Sequence, residues 1–177
     1  MGFVSGLIVG VALVPLAFYL YMLSGDAPVA TSAPPGMPME RVLATGALHA
    51  KLRQEAPKTV PIPADDAAWL AGARVCRDGC AVCHGLPHQP PTAVSKGMYP
   101  RPPQLFQADE MVTDDPALVT FWKGKYRIRL SGMPGFQASL SNEELWQVSV
   151  LLAGADKLPA PVEQALSAPR SSGDSSK

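Results

Sequence analysis

The segment from Phe3 to Leu23 constrains this chain more than any other feature, because its 21 residues include no charged side chain. As a helix with a rise of about 1.5 Å per residue it would span about 31 Å, enough to cross the hydrocarbon core of a bilayer. Membrane helices tolerate a proline such as Pro15, and Tyr19 and Tyr21 lie where an interfacial aromatic belt is expected. The sequence therefore predicts a transmembrane anchor over residues 1–24.

A cleaved secretory signal is the alternative interpretation of this segment. Such a signal has a basic start and an A-x-A-like cleavage site. Here no Lys or Arg precedes Arg41, and the small-residue stretch 25–27 is followed by Pro28, so an uncleaved anchor is favoured. Both interpretations place the rest of the chain outside the cytoplasm, although no basic flank orients the helix.

Residues 25–63 are predicted to be a linker. Prolines recur in an Ala/Thr/Ser background, and only residues 40–56 place apolar side chains at a weakly helical spacing, which indicates one short helix. A flexible segment of about 40 residues has a root-mean-square reach of about 35 Å. Such a linker would let the following domain move between partners, or would lie along a partner subunit.

Residues 64–158 are predicted to form one small all-α domain, and the Ser-rich segment 159–177 is predicted to be disordered. A domain of about 95 residues buries little surface, so a large apolar cofactor at its centre would help to hold it together.

The formal net charge of +0 gives no reason to expect binding to nucleic acid. Helix starts are expected at Asp65 or Asp66, at Asp115-Pro116, and at a capping box of Ser141 with Glu144.

All three cysteines lie between Cys76 and Cys83, directly before His84. Zinc sites usually draw ligand pairs from two separated segments, and the sequence has no second CxxC. A disulfide would close only a very small loop and would leave one cysteine unpaired. Both interpretations are therefore weaker than a third, covalent haem attachment, because residues 80–84 read CxxCH.

The CxxCH spacing suits haem attachment for a stereochemical reason. Two intervening residues let the sulfurs of Cys80 and Cys83 reach the two vinyl groups of one porphyrin, and the imidazole of His84 then lies beneath the iron. With this chain's composition, chance gives about 0.001 occurrences of the motif. The sequence therefore predicts one covalent haem c, in a domain exported to the periplasm or an equivalent space.

The second axial ligand is expected to be a methionine. Met133 fits best, because it lies far from His84 along the chain, in a tight Gly/Pro loop before the last helix. Met98 is closer in sequence and is expected to stay on the histidine side, and Met111 stands beside acidic residues that indicate a surface turn. The remaining alternatives are His49, His88 and an open coordination site.

The stretches CAVCHG, YPRPPQL, IRLSGMPGF and LSNEELWQV together resemble a class I c-type cytochrome of the small, membrane-anchored, monohaem bacterial type. The resemblance covers residues 64–158, and its specific parts are CxxCH and GMP. It implies that the first and last helices of the domain cross at Gly72 and Trp146. It further implies that a proline carbonyl orients His84, and that Arg129 meets a haem propionate. The proline is Pro102, with Pro100 and Pro103 as alternatives.

Cys76 departs from the pattern of that family, which more often has a bulky residue there. Its simplest interpretation is a small buried hydrophobic residue one turn before Cys80. A second is that it competes for haem or for a disulfide during maturation.

The expected function is electron transfer rather than enzymatic catalysis. With His84 and Met133 as axial ligands no iron site is open to a substrate, so the chain would carry single electrons from a respiratory or dehydrogenase donor to an oxidase-type acceptor. The alternatives are a fixed haem subunit of a larger respiratory complex, and a haem enzyme or gas sensor with a labile methionine. Expected partners are the membrane and redox proteins or respiratory subunits, without nucleic acid or a small-molecule substrate.

Four basic residues precede the Met133 loop at every second position. On a helix they would form two i,i+4 pairs of like charge, which favours either a solvated face or a ring of charge that steers an acidic partner. These residues are Lys123, Lys125, Arg127 and Arg129.

Overall fold

The computed structural model describes residues 2–27, 29, 38–107, 109–110 and 112–168. Within these ranges every regular element is helical, so the predicted all-α class is confirmed. The chain divides into two compact units, Met1–Ala44 and Thr45–Lys177. The helices are α1 (Gly2–Leu23), α2 (Pro38–Glu55), α3 (Asp66–Val75), a π turn (Cys76–Cys80), α4 (Ala81–His84), α5 (Ala93–Lys96), α6 (Ala117–Tyr126), a 3-10 turn (Phe136–Ala138), α7 (Asn142–Ala153) and α8 (Ala160–Ser167).

Helix α1 has the length and composition of a membrane span. Its most apolar 18-residue window has a mean hydropathy of 2.3, contains no charged residue and is not buried by protein. Pro15 lies inside the helix without ending it. The helix required by the anchor prediction is therefore present, and it can be membrane-spanning by length and composition.

Residues 45–63 belong to the larger compact unit, so the predicted linker is too long at its C-terminal end. Leu52 of α2 is buried, and Glu55 accepts a hydrogen bond of 3.3 Å from the indole nitrogen of Trp122. Ile62 packs against two groups of core side chains. The helix predicted within the linker is confirmed as α2. Its apolar residues are widely spaced, so the sequence does not show that this helix packs on the following domain.

Helices α3 and α7 cross closely in the centre of the larger unit. Helix α3 begins after Asp65, whose side chain accepts from the Ala68 backbone at 2.9 Å, and α7 begins at the predicted capping box. A Cβ atom on Gly72 would lie 2.3 Å from the Gln147 carbonyl oxygen. The implied close crossing is confirmed at Gly72, but its neighbour there is Gln147 and not Trp146. Trp146 instead stacks on Phe121 of α6, with ring centroids 4.0 Å apart.

Helix α6 ends at Tyr126, which corrects the expected placement of the four basic residues on one helix. Arg127 has a φ of 68° and Leu130 a φ of 62°, so the chain leaves the helix through two left-handed residues. The helix begins at Ala117 with Pro116 at its N-cap, one residue later than predicted. Because Arg127 and Arg129 lie beyond the helix, the two predicted i,i+4 pairs do not form.

The predicted disordered tail is wrong for residues 160–167, which form helix α8. Val162 and Leu166 are fully buried and share a core cluster with Cys76. Arg77 reaches across and donates to the Ala165 carbonyl at 3.2 Å. Val162 and Leu166 are four residues apart and so lie on one face of a helix. Two apolar residues next to a Ser-rich end are too short a pattern to predict that helix from the sequence. The rest of the tail, residues 169–177, lies outside the described residues.

Candidate functional site

The predicted site residues meet at one cleft in the larger unit, with a cavity volume of about 240 Å³. Cys80, Cys83, His84 and Met133 all line it. Residues of α7 also line it, all but one with apolar side chains, and the whole lining is mainly apolar. Those residues of α7 are Leu145, Val148, Ser149 and Leu152.

A π turn introduces the CxxCH motif. It runs from Cys76 to Cys80 and is followed directly by α4, with the Ala81 N–H donating to the Cys76 carbonyl. A π turn inserts one extra residue into a helix and is often found at functional sites. Helix α4 ends at His84. The next residue, Gly85, has a φ of 70° and lies so close to Gln104 that a Cβ atom on it would be 2.7 Å from the Gln104 Oε1 atom.

His84 is oriented by a proline carbonyl, as the resemblance implied, but the proline is Pro103 and not Pro102. The Nδ1 atom of His84 lies 2.8 Å from the Pro103 oxygen, which can accept its proton and leave Nε2 as the nitrogen for a ligand. Burial lowers the pKa of His84, and the hydrogen bond to Pro103 opposes that shift. The imidazole is therefore favoured in its neutral form, which is the form that binds a metal.

Gln104 holds the loop that carries Pro103, and sequence reasoning missed it. Its side chain is 1% exposed, and its amide nitrogen lies 3.3 Å from the Cys83 carbonyl and 3.2 Å from both the Ser95 hydroxyl and the Pro102 carbonyl. Its backbone N–H donates to the Glu110 carboxylate at 2.7 Å. In the sequence, Gln104 is a polar residue that follows two prolines and precedes two apolar residues. This pattern does not distinguish a buried amide from one on the surface.

Met98 lines the cleft together with Met133, which corrects the expectation that it stays on the histidine side. The terminal carbon of Met98 lies 2.4 Å from the position that a Cβ atom on Gly132 would take, so it packs directly against the Met133 loop. His49 and His88 are exposed and lie outside the lining of the cleft. Met111 lies outside the described residues.

The cations at the cleft are Lys123 and Arg101, and each is paired with a carboxylate. Lys123 pairs with Asp115, and Arg101 lies 3.2 Å from a Glu110 oxygen. Arg129 is exposed and lies outside the lining, so its contact with a propionate stays a prediction. Its neighbours Ile128 and Ser131 do line the cleft.

The three cysteines are free thiols, with Cys76 buried and Cys80 and Cys83 half-buried. Among the residues described by the structure, no three His, Cys, Asp or Glu side chains converge as ligands of a metal ion. No protein-family model, curated protein or solved structure matches the chain. The chemistry of the site is therefore argued from its own residues.

Proposed function

We propose that this chain is a membrane-anchored, monohaem c-type cytochrome that carries single electrons on the periplasmic side of the cytoplasmic membrane. The observation that carries the proposal is the shared cleft: the two cysteines and the histidine of CxxCH line the same apolar cavity as Met133. The motif alone predicts the covalent attachment. The cleft adds an apolar wall and a second possible axial ligand.

The residues of the cleft fit a haem group in three respects. The thiols of Cys80 and Cys83 are free and border the cavity, so they are available for thioether bonds. His84 uses Nδ1 for the Pro103 carbonyl, which fixes the ring and directs Nε2 to a ligand. Lys123 and Arg101 also line the cavity, and each has N–H donors beyond its pair with Asp115 or Glu110 from which a carboxylate such as a propionate can accept.

When bound, a haem in this cleft supplies an iron that changes between the ferric and ferrous states and so exchanges one electron at a time. The chain's own residues decide what else is possible. The neutral His84 imidazole and a thioether such as Met133 would hold the iron and would leave no coordination site for a substrate, and the apolar side chains of α7 would keep water away from it. Both a thioether ligand and an apolar surrounding favour the ferrous state and raise the reduction potential.

The anchor and the site together support a role at the membrane. Helix α1 is long and apolar enough to hold the chain in the bilayer, and covalent haem attachment takes place outside the cytoplasm. We infer that the donor is a respiratory or dehydrogenase protein and the acceptor an oxidase-type protein. A fixed subunit of a respiratory complex would need the same anchor and the same site. Residues 45–63 belong to the larger unit, which shortens the tether, and a short tether suits a fixed subunit.

The second candidate is a haem enzyme or gas sensor, and the position of Met98 is the observation that favours it. Two thioethers at one cleft allow an exchange of ligands, which would make the Met133 position labile. The carrier is the better-supported proposal, because the tight turn around Ser131 holds the Met133 loop: the Ser131 hydroxyl donates to Ile128 and accepts from the Met133 N–H at 3.4 Å.

The test compares Met133→Ala with Met98→Ala as a matched control, each in the full-length, haem-loaded chain. We expect Met133→Ala to abolish the weak sulfur-to-iron charge-transfer band of the ferric protein and to let the ferrous protein bind carbon monoxide. Met98→Ala should retain the band and exclude carbon monoxide. The carrier proposal would be wrong if the unmodified ferrous protein bound carbon monoxide readily at neutral pH.

A further inference from the structure

The thiol of Cys76 is a nucleophilic group that the proposed function does not use. It is 0% exposed and packs in a core cluster with Ala73, Leu151 and Leu166. Cys80 packs against the same cluster. Cys76 is therefore half of a thiol pair whose other half belongs to the haem-attachment motif.

The π turn brings these two thiols together. Cys76 begins the turn and Cys80 ends it. A π turn is wider than an α turn and rises less per residue, so positions four apart lie almost above each other. Disulfides require Cα atoms about 4.4–6.8 Å apart, a separation that neighbouring turns provide. Cys83 lies farther along, in α4, on the wall of the cleft.

The two thiols differ in access and in acidity. Cys80 is half-buried at the cleft, whereas Cys76 is enclosed by the core. The neighbouring Cys76 thiol lowers the pKa of Cys80, and burial opposes the shift. The neighbouring Cys80 thiol raises the pKa of Cys76, and burial adds to it. Cys80 is thus the thiol that meets an external disulfide, and Cys76 is placed to react only with Cys80.

We propose that Cys76 and Cys80 form a reversible disulfide before haem attachment and that this disulfide withholds Cys80 from thioether formation. The Cys80 thiolate attacks an external disulfide, forms a mixed disulfide and releases one thiolate. Cys76 then loses its proton, attacks the Cys80 sulfur and releases the second thiolate, so two thiols of the chain are oxidised and one external disulfide is reduced. A dithiol reductant reverses both steps. The existence of the pair is independent of the proposed function, and its gating role rests on that function.

The pair can be detected by peptide mapping of the full-length chain, made in a host without the haem-attachment system. The protein in detergent is equilibrated with mixtures of reduced glutathione and glutathione disulfide, alkylated and digested with trypsin. Cleavage after Arg74, Arg77 and Lys96 puts Cys76 in one peptide and both other cysteines in the next. A disulfide of Cys76 therefore links two peptides, whereas a Cys80–Cys83 disulfide leaves a single looped one.

We expect the linked peptides to exceed the looped peptide about tenfold in the folded protein. Cys83→Ser should keep the linked species, and Cys80→Ser should lose it. In concentrated urea the preference should disappear, because the two loops differ by only one residue in the unfolded chain. A predominant looped peptide under folding conditions, or linked peptides that survive in Cys80→Ser, would overturn the proposal without the need for any Cys76 variant.

The gating role is tested in a host that attaches haem. The glutathione disulfide concentration that halves the yield of covalent haem should rise at least about threefold in Cys76→Ala and Cys76→Ser relative to the unmodified chain, because only the Cys80–Cys83 disulfide remains to compete. Equal half-inhibiting concentrations would overturn the gate. If the unmodified chain takes up no covalent haem under any condition, the proposed function and the gate both fall, and the peptide map still decides whether the thiol pair exists.

Discussion

Replacing Gly72 with alanine should disturb the crossing that supports the cleft. The added Cβ atom would lie 2.3 Å from the Gln147 carbonyl oxygen, whereas ordinary contacts begin at 3.4 Å. Helices α3 and α7 must therefore separate by about 1 Å at this point, because a backbone carbonyl cannot rotate away as a side chain can. Since residues of α7 line the cleft, we expect the separation to loosen the proposed haem site as well.

The magnitude follows from two opposing contributions. Overpacking a well-packed contact costs typically about 1–3 kcal/mol, and contact with backbone puts this substitution at the upper end. Alanine in place of glycine inside a helix returns about 1 kcal/mol. The net loss is about 2 kcal/mol in the free energy of unfolding, which in a unit of this size lowers the melting temperature by roughly 6–8 °C.

Thermal unfolding of the full-length chain, followed by far-ultraviolet circular dichroism in detergent, measures this loss. Gly46→Ala in α2 is the matched control, because no atom lies within 4 Å of the position of its added Cβ. We expect Gly46→Ala to be neutral or to raise stability by up to about 1 kcal/mol. Equal melting temperatures for the two variants would refute the close crossing of α3 and α7.

Three further predictions concern other parts of the chain. Leu166→Ala should lower the free energy of unfolding by about 2–5 kcal/mol, and exposed Gln164→Ala by much less, in urea unfolding. The Ser141 backbone N–H and hydroxyl lower the pKa of Glu144 below 4.5. The stabilisation of the fold by this carboxylate should therefore be complete above pH 4.5 and disappear on acidification. The difference in the free energy of unfolding between the unmodified chain and Glu144→Gln should shrink over the same range. Arg127→Glu plus Arg129→Glu should slow electron transfer to an acidic partner and flatten its dependence on salt in stopped-flow measurements, with an unchanged spectrum.

The helix starts of the larger unit could be predicted because they depend on local chemistry. Asp65 and the Ser141–Glu144 capping box satisfy backbone donors within three residues of themselves. Helix α8 and residues 45–63 could not be assigned in this way. Their burial depends on a few apolar residues, such as Leu166 and Ile62, that find partners far away in the sequence.

The site shows the same division. The spacing of Cys80, Cys83 and His84 predicts one cluster, and the structure places Met133 at the same cleft. Whether Pro102 or Pro103 accepts the hydrogen bond from His84 depends on where their loop passes the imidazole. A shift of the loop by one residue would exchange the two carbonyl groups, and the sequence does not fix that position. The pairing of Lys123 with Asp115 depends likewise on where α6 begins and ends, which the alternating charges do not reveal.

Covalent attachment of haem through Cys80 and Cys83 is the central claim, and acid–acetone extraction of the full-length chain tests it most directly. The chain is produced in a host with the haem-attachment system, extracted, and analysed by intact mass and absorption. We predict one haem per chain that resists extraction, and none in Cys80→Ser plus Cys83→Ser, with Cys76→Ser retaining it. Extraction-resistant haem in the double variant, or none in the unmodified chain, would contradict the account.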